Sequence, residues 1–269
     1  MNNLKSLDYV DNYSDLLPSG SIRISPSMLY KFTDKKHEWY RNQVLCEETF
    51  SGNTSTVLGT CVHRVAELAS KLGIDKALPY LQEEVPSYLS SFITNPEVDN
   101  AYVEAQYIPM SIALLNFFRV FGVPSRSEEK VALHIRDNIY LAGTFDALQG
   151  STLIDYKTTS KTSPDMDIPN YYKWQLLAYA YALKEQGIKV DNIRIVWITN
   201  NIVGRISEKT GKPMKDYPTQ VVPVTEIITE DDMRFIKDYI TLIADTIKCG
   251  IDNPELVYML FSDYRLKIS

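Results

Sequence analysis

The chain has 269 residues, 45% hydrophobic and 23% charged, which suits one large globular domain rather than a disordered or fibrous chain. A core of that size needs no disulfides, and the three cysteines (Cys46, Cys61, Cys249) form no CxxC or Cys/His cluster, which argues against a zinc ribbon or a disulfide framework. The net charge of −6 argues mildly against nucleic acid as a partner, but residues 157–215 hold ten Lys/Arg against five Asp/Glu, a local +5 that suits a phosphodiester.

In chain order, residues 1–21 are polar and read as flexible, without the basic start and apolar centre of a signal peptide. No apolar run approaches a membrane span. A cytoplasmic protein with no membrane partner is expected, in a host cytoplasm if phage-encoded. Residues 25–42 read as one helix, with Ser25 as N-cap and Pro26 in the first turn. An exposed loop is expected over 47–57. Helices follow over 58–72, with apolar residues at a helical period, and over 75–93 and 98–120.

The pattern then changes. Residues 129–136 and 139–147 alternate as strands joined through Asp137-Asn138, and 152–158 form a third strand. An aromatic-rich helix is expected over 170–186, ending near Gly187. Strands at 192–199 and 219–224 and a helix over 229–248 complete the pattern, and the tail after 253 is left unassigned. This order predicts an α/β (α+β mixed) fold with a central mixed sheet flanked by helices. A single domain spans 1–269, divided into a mainly helical part (22–125), a sheet core (126–225) and a C-terminal helical part (226–269).

The most informative segment is Gly143-x-x-Asp146 followed by Asp155-x-Lys157. Residues two apart on a strand share a face, so Asp155 and Lys157 project together while Ile154 and Tyr156 turn away. If the two strands pair antiparallel, Asp146 comes near Asp155. Two carboxylates in one place repel unless a cation lies between them, and Mg²⁺ or Mn²⁺ prefers such oxygen ligands. A lysine beside them supplies positive charge for a phosphate. On its own, D-x-K is an ordinary surface ion pair in many proteins.

His63 sits on the 58–72 helix with Glu67 four residues on, on the same helical face. Imidazole is a good Mn²⁺ ligand. Gln175 and Tyr179 share a face of the helix after Lys157, placed to contact substrate or to brace a metal site.

Together these residues resemble the RecB-like exonuclease branch of the PD-(D/E)XK nuclease superfamily. The matching order is Ser25-Pro26-Ser27, Gly59-Thr60-x-x-His63, Gly143-x-x-Asp146, Asp155-x-Lys157-Thr158 and Gln175-x-x-x-Tyr179, across roughly residues 22–200. The resemblance implies a restriction-endonuclease-like sheet. It implies a metal held by His63, Asp146, Asp155 and the backbone carbonyl of Tyr156, with Lys157 serving the water or the transition state. Gln175, Tyr179 and Thr158 would lie on the DNA-facing side, as would Ser27, Tyr30 and Lys31 by position. Glu129, with Glu128 as rival, is a further acidic candidate, and Glu67 another. The cofactor would be Mg²⁺ or Mn²⁺. An iron–sulfur cluster, found in some relatives, is not expected, because only Cys46 and Cys249 stand in suitable regions.

The leading expectation is a metal-dependent DNA exonuclease acting on single strands or duplex ends in recombination, repair or replication. A helicase, a single-strand-binding protein or a recombination protein would be its partner. The alternatives are a structure-specific endonuclease and a nuclease-like module that binds DNA or protein without cutting.

Overall fold

The computed structural model describes residues 13–45 and 52–261, apart from 165, 205, 208 and 214. Residues 1–12, Cys46, residues 47–51 of the expected 47–57 loop and the end of the tail lie outside the described residues. The chain forms a mixed sheet of six strands between two helical layers.

The first strand, β1 (Ile22–Ile24), was not read from the sequence, because three residues are too few to show alternation. The expected helix over 25–42 is a 3-10 turn (Pro26–Met28) and two helices, α1 (Leu29–Asp34) and α2 (Lys36–Gln43). They part at Lys35, whose φ of −138° and ψ of 60° are not helical. Helix α3 (Thr54–Leu72) starts earlier than expected, because the Asn53 side chain caps it by accepting from Thr56 N. Helices α4 (Ile74–Ser90) and α5 (Asn100–Phe121) complete that layer.

Strands β2 (Arg126–Arg136), β3 (Ile139–Gln149) and β4 (Thr152–Thr159) form the expected meander. Helix α6 (Asn170–Glu185) leads to β5 (Asn192–Thr199), which pairs parallel to β4, and β6 (Val221–Ile227) pairs antiparallel to β5. Helix α7 (Glu230–Asp252) opens with a capping box between Thr229 and Asp232. A short helix, α8 (Val257–Leu260), follows.

The sheet separates two apolar cores. Leu153 belongs to the core shared with α1, α2, α6 and α7, whereas Ile154 and Tyr156 belong to the core shared with α3, α4 and α5. That is the period-two alternation expected for β4. β3 departs from it: Phe145 and Leu148 pack in the first core while Ala147 packs in the second, so the alternation slips around Asp146.

The pairing of β3 positions the site. One edge pairs with β2 along its length. The other edge is divided between β1, which meets residues 139–141, and β4, which meets residues 147–149. Residues 142–146 therefore face a gap between two strands. Side chains fill it: Arg23 donates to the Ala142 carbonyl at 3.2 Å, and Asp146 reaches across to β4.

Candidate metal and phosphodiester site

Asp146 lies immediately past the last β3–β4 pair, Ala147 with Ile154. Its Oδ2 accepts the backbone N–H of Tyr156 at 2.8 Å, so the carboxylate continues the ladder where the backbones separate. The same oxygen lies 3.3 Å from His63 Nδ1. His63 reaches it from α3, and its Nε2 donates to the Tyr156 carbonyl at 2.6 Å.

Glu128 completes this group. The pairs Ser127–Ala147 and Glu129–Phe145 flank it, which sets it opposite Asp146 on β2. Its φ is +52°, a left-handed conformation that costs a glutamate free energy. That backbone brings its carboxylate to His63 and Asp146. One ligand atom from each of the three lies within 4.8 Å of the others. Burial pushes the Glu128 carboxyl well above its ordinary range, and the charges of Asp146 and Glu67 add to the shift.

Asp155 and Lys157 share a face of β4, as period two requires. Lys157 Nζ donates to Asp155 Oδ1 at 2.8 Å, and Gln175 Nε2 donates to the same oxygen at 3.1 Å. The other oxygen, Asp155 Oδ2, is buried without a hydrogen-bond partner. Burial raises the Asp155 carboxyl to about 6; Lys157 opposes the shift and Asp146 adds to it. Burial works against the Lys157 ammonium, but Asp155 and Asp146 outweigh it and hold its pKa above the ordinary lysine value. The ammonium also sits 5.0 Å from the centre of the Tyr172 ring, a cation–π contact.

Two features fit this donor set to a divalent cation. A neutral imidazole has one N–H, yet both His63 nitrogens face oxygen atoms, the Tyr156 carbonyl and the Asp146 carboxylate. A cation beside Nδ1 removes that conflict. The unpartnered, buried Asp155 Oδ2 is the second feature, since a buried carboxylate oxygen is costly without a partner. Carboxylates with one imidazole suit Mn²⁺, and Mg²⁺ less closely.

The other candidates fall differently. Glu129 does not join the group: Arg126 holds its carboxylate in a two-oxygen ion pair. Its rival Glu128 takes the place, because the left-handed backbone re-aims residue 128. Glu67 is buried, and Arg64 and Lys71 occupy both its carboxylate oxygens, which makes it a structural partner on α3. Tyr179 is 5% exposed and packs in the core against Phe145, with its hydroxyl close to Gly143. It is not on a substrate-facing surface, because α6 turns that side of the helix into the sheet. Gln175, four residues earlier, faces Asp155 and braces it.

Thr158 is half-buried beside Gly59 at the start of α3. Ser27 is exposed, with its hydroxyl 3.1 Å from Ser25 Oγ; Tyr30 packs on Tyr171 and Trp174; and Lys31 pairs with Glu38. No local pattern marks Tyr172 as the ring beneath Lys157, since that contact depends on how α6 docks on β4.

Residues 23–250 match the family model of the PD-(D/E)XK nuclease superfamily. The chain belongs to this superfamily. No curated protein matches the nuclease. A candidate exonuclease from Eubacterium rectale superposes with a TM-score of 0.53 at 12% identity, covering 97% of this chain and 90% of the other. The alkaline exonuclease of Laribacter hongkongensis superposes with a TM-score of 0.38 at 10% identity, covering 75% of this chain and 96% of the other. At 12% identity the likeness to the Eubacterium rectale protein speaks to fold alone. Among the described residues of the nuclease, no helix is long and apolar enough to cross a membrane.

Proposed function

We propose that the protein is a metal-dependent DNA exonuclease of the RecB-like branch, hydrolysing phosphodiesters from single-stranded or duplex ends. The observation that carries this reading is the convergence of His63, Glu128 and Asp146 beside the Asp155–Lys157 pair, on the split edge of β3. His63, Glu128, Asp146 and Asp155 Oδ2 would hold a divalent cation, with the Tyr156 carbonyl at the margin of the set. Such a cation supplies a Lewis acid and lowers the pKa of a bound water.

The protein's own groups do the rest. Lys157 keeps its charge because two carboxylates stabilise it, and it is placed to hold a non-bridging phosphate oxygen as negative charge develops there. Gln175 and Lys157 together fix Asp155, so its free oxygen has one orientation. The apolar core behind Tyr156 keeps water away from one side of the site and strengthens each charge interaction within it. A role in recombination, repair or replication, in the cytoplasm and with a separate motor or single-strand-binding protein, accompanies the exonuclease reading.

The test is incubation with end-labelled linear single strands, linear duplexes and covalently closed circles, in Mg²⁺, Mn²⁺ or EDTA, beside Lys157→Ala. Metal-dependent loss of linear DNA that spares circles and vanishes in the variant is expected. Nicked circles would favour an endonuclease. Inert linear DNA under every metal would reject the enzyme.

A further inference from the structure

Helices α1, α6 and α7 each bring aromatic rings to one surface beside Lys157. The chain of rings starts at Tyr172 beneath the ammonium. Tyr171 follows at 4.1 Å between ring centres, then Tyr30 at 6.1 Å, Trp174 at 5.2 Å from Tyr30, and Phe235 at 5.2 Å from Trp174. Two of these rings are open to solvent, Tyr171 at 45% and Phe235 at 43%, while Tyr172, Tyr30 and Trp174 are half-buried. A contiguous aromatic surface with exposed rings on either side of half-buried ones costs hydrophobic free energy, and such a surface marks a ligand site. Tyr239 stacks on Phe235; its hydroxyl donates to the Leu29 carbonyl and accepts from the Thr33 hydroxyl, so the platform is braced from below.

We propose that Tyr171, Tyr30, Trp174 and Phe235 form a stacking track for the unpaired nucleobases of the strand whose backbone enters the site at Lys157. The inference rests on the nuclease reading of that site. Continuity decides the occupant. The rings run from the lysine that would meet the phosphate, and aromatic side chains beside a charge that holds the backbone take the bases of an unpaired strand. Duplex bases have no free faces to offer, so the track selects single strands or frayed ends. Stacking tolerates every base, so it confers no sequence preference.

Intrinsic fluorescence tests this directly. Trp39 is fully buried and Trp197 is 5% exposed, which leaves half-buried Trp174 as the tryptophan a base can reach. In EDTA, to prevent cleavage, the wild-type protein is titrated with oligothymidylate and with an abasic oligomer of the same length. Quenching by oligothymidylate alone, with tighter binding than to the abasic strand, is expected. Tyr171→Ala and Phe235→Ala should each lower that affinity ratio by about tenfold, and Tyr171→Phe should restore it. A ratio unchanged in both alanine variants, or equal binding of the two oligomers by the wild type, overturns the track. Metal-dependent hydrolysis of bis(p-nitrophenyl) phosphate, which has no bases, reads the catalytic site separately. If that activity is present and the ratio does not respond, the track alone is wrong. If neither this ester nor DNA is cut, the nuclease reading fails, and the inference with it.

Discussion

Asp146 on β3 accepts the backbone N–H of Tyr156 on β4 at 2.8 Å, one residue past the last pair of the two strands. The carboxylate is thus a structural acceptor and a candidate ligand at once, and two substitutions separate the roles. Asp146→Asn keeps an oxygen for the N–H and should melt near the wild type, yet lose about 100-fold or more in cleavage. Asp146→Ala leaves the N–H unsatisfied and should also cost about 1–3 kcal/mol of stability. Thermal melts beside cleavage rates decide; an active Asn variant would remove Asp146 from the site.

Glu128 and Glu129 make a paired control. Glu128→Gln should weaken Mn²⁺ binding and cleavage at least tenfold, about what loss of one charged ligand implies. Glu129→Gln loses only a half-exposed ion pair with Arg126 and should change stability by about 0–1 kcal/mol. Calorimetric Mn²⁺ titration of both proteins checks this. Equal effects would dissolve the distinction drawn from the backbone of residue 128.

Gln175 acts through Asp155. Gln175→Ala removes one of the two donors to Asp155 Oδ1 and should lower cleavage about 10–100-fold through misplacement of the carboxylate. Gln175→Glu should do worse, since it brings a third carboxylate against Asp155. Steady-state kinetics with separate kcat and KM values would show a loss mainly in kcat.

The pH dependence follows from the raised carboxyls. Asp155 titrates at about 6 in the metal-free fold, above its ordinary value of 3.8, and Glu128 is raised as well. The fold is favoured where these groups are protonated. For Asp155 that contribution is complete below 3.8 and is lost as pH rises through about 6; Glu128 acts in the same direction. A cation binds the ionised form, so its apparent affinity should rise with pH through about 6 as Asp155 ionises, with proton release on binding below that point. Titrations in two buffers of different ionisation enthalpy measure the release. Affinity that is flat across this range would contradict it.

Gly143 belongs to the packing of the site rather than to its chemistry. A Cβ there would lie 2.6 Å from the Tyr179 hydroxyl and 3.0 Å from Pro26 Cδ. Gly143→Ala should therefore destabilise the protein by about 1–3 kcal/mol, as overpacking does. A variant as stable as the wild type in urea melts would show that Tyr179 can move aside.

Much of the site could be read from spacing. Period two put Asp155 and Lys157 on one face of β4, and the short turn after Gln149 brought Asp146 back beside them. Helical period placed His63 on an amphipathic helix, and local turn chemistry delimited the hairpin at Asp137. The break at Lys35 could not be read, because the apolar pattern continues across it and only packing of α1 and α2 in separate directions interrupts the helix.

Local sequence sets which chemical groups are available and which strand face bears them, because alternation and turn residues act over a few positions. The tertiary structure alone decided which acids meet. A left-handed φ at Glu128 turned that carboxylate toward Asp146 and left Glu129 to Arg126. The docking of α6 put Gln175 on Asp155 and Tyr172 under Lys157, and buried Tyr179 against Gly143. The shared edge of β3, with β1 at one end and β4 at the other, opened the gap that Asp146 fills. These are contacts between residues far apart in the chain, and no local period encodes them.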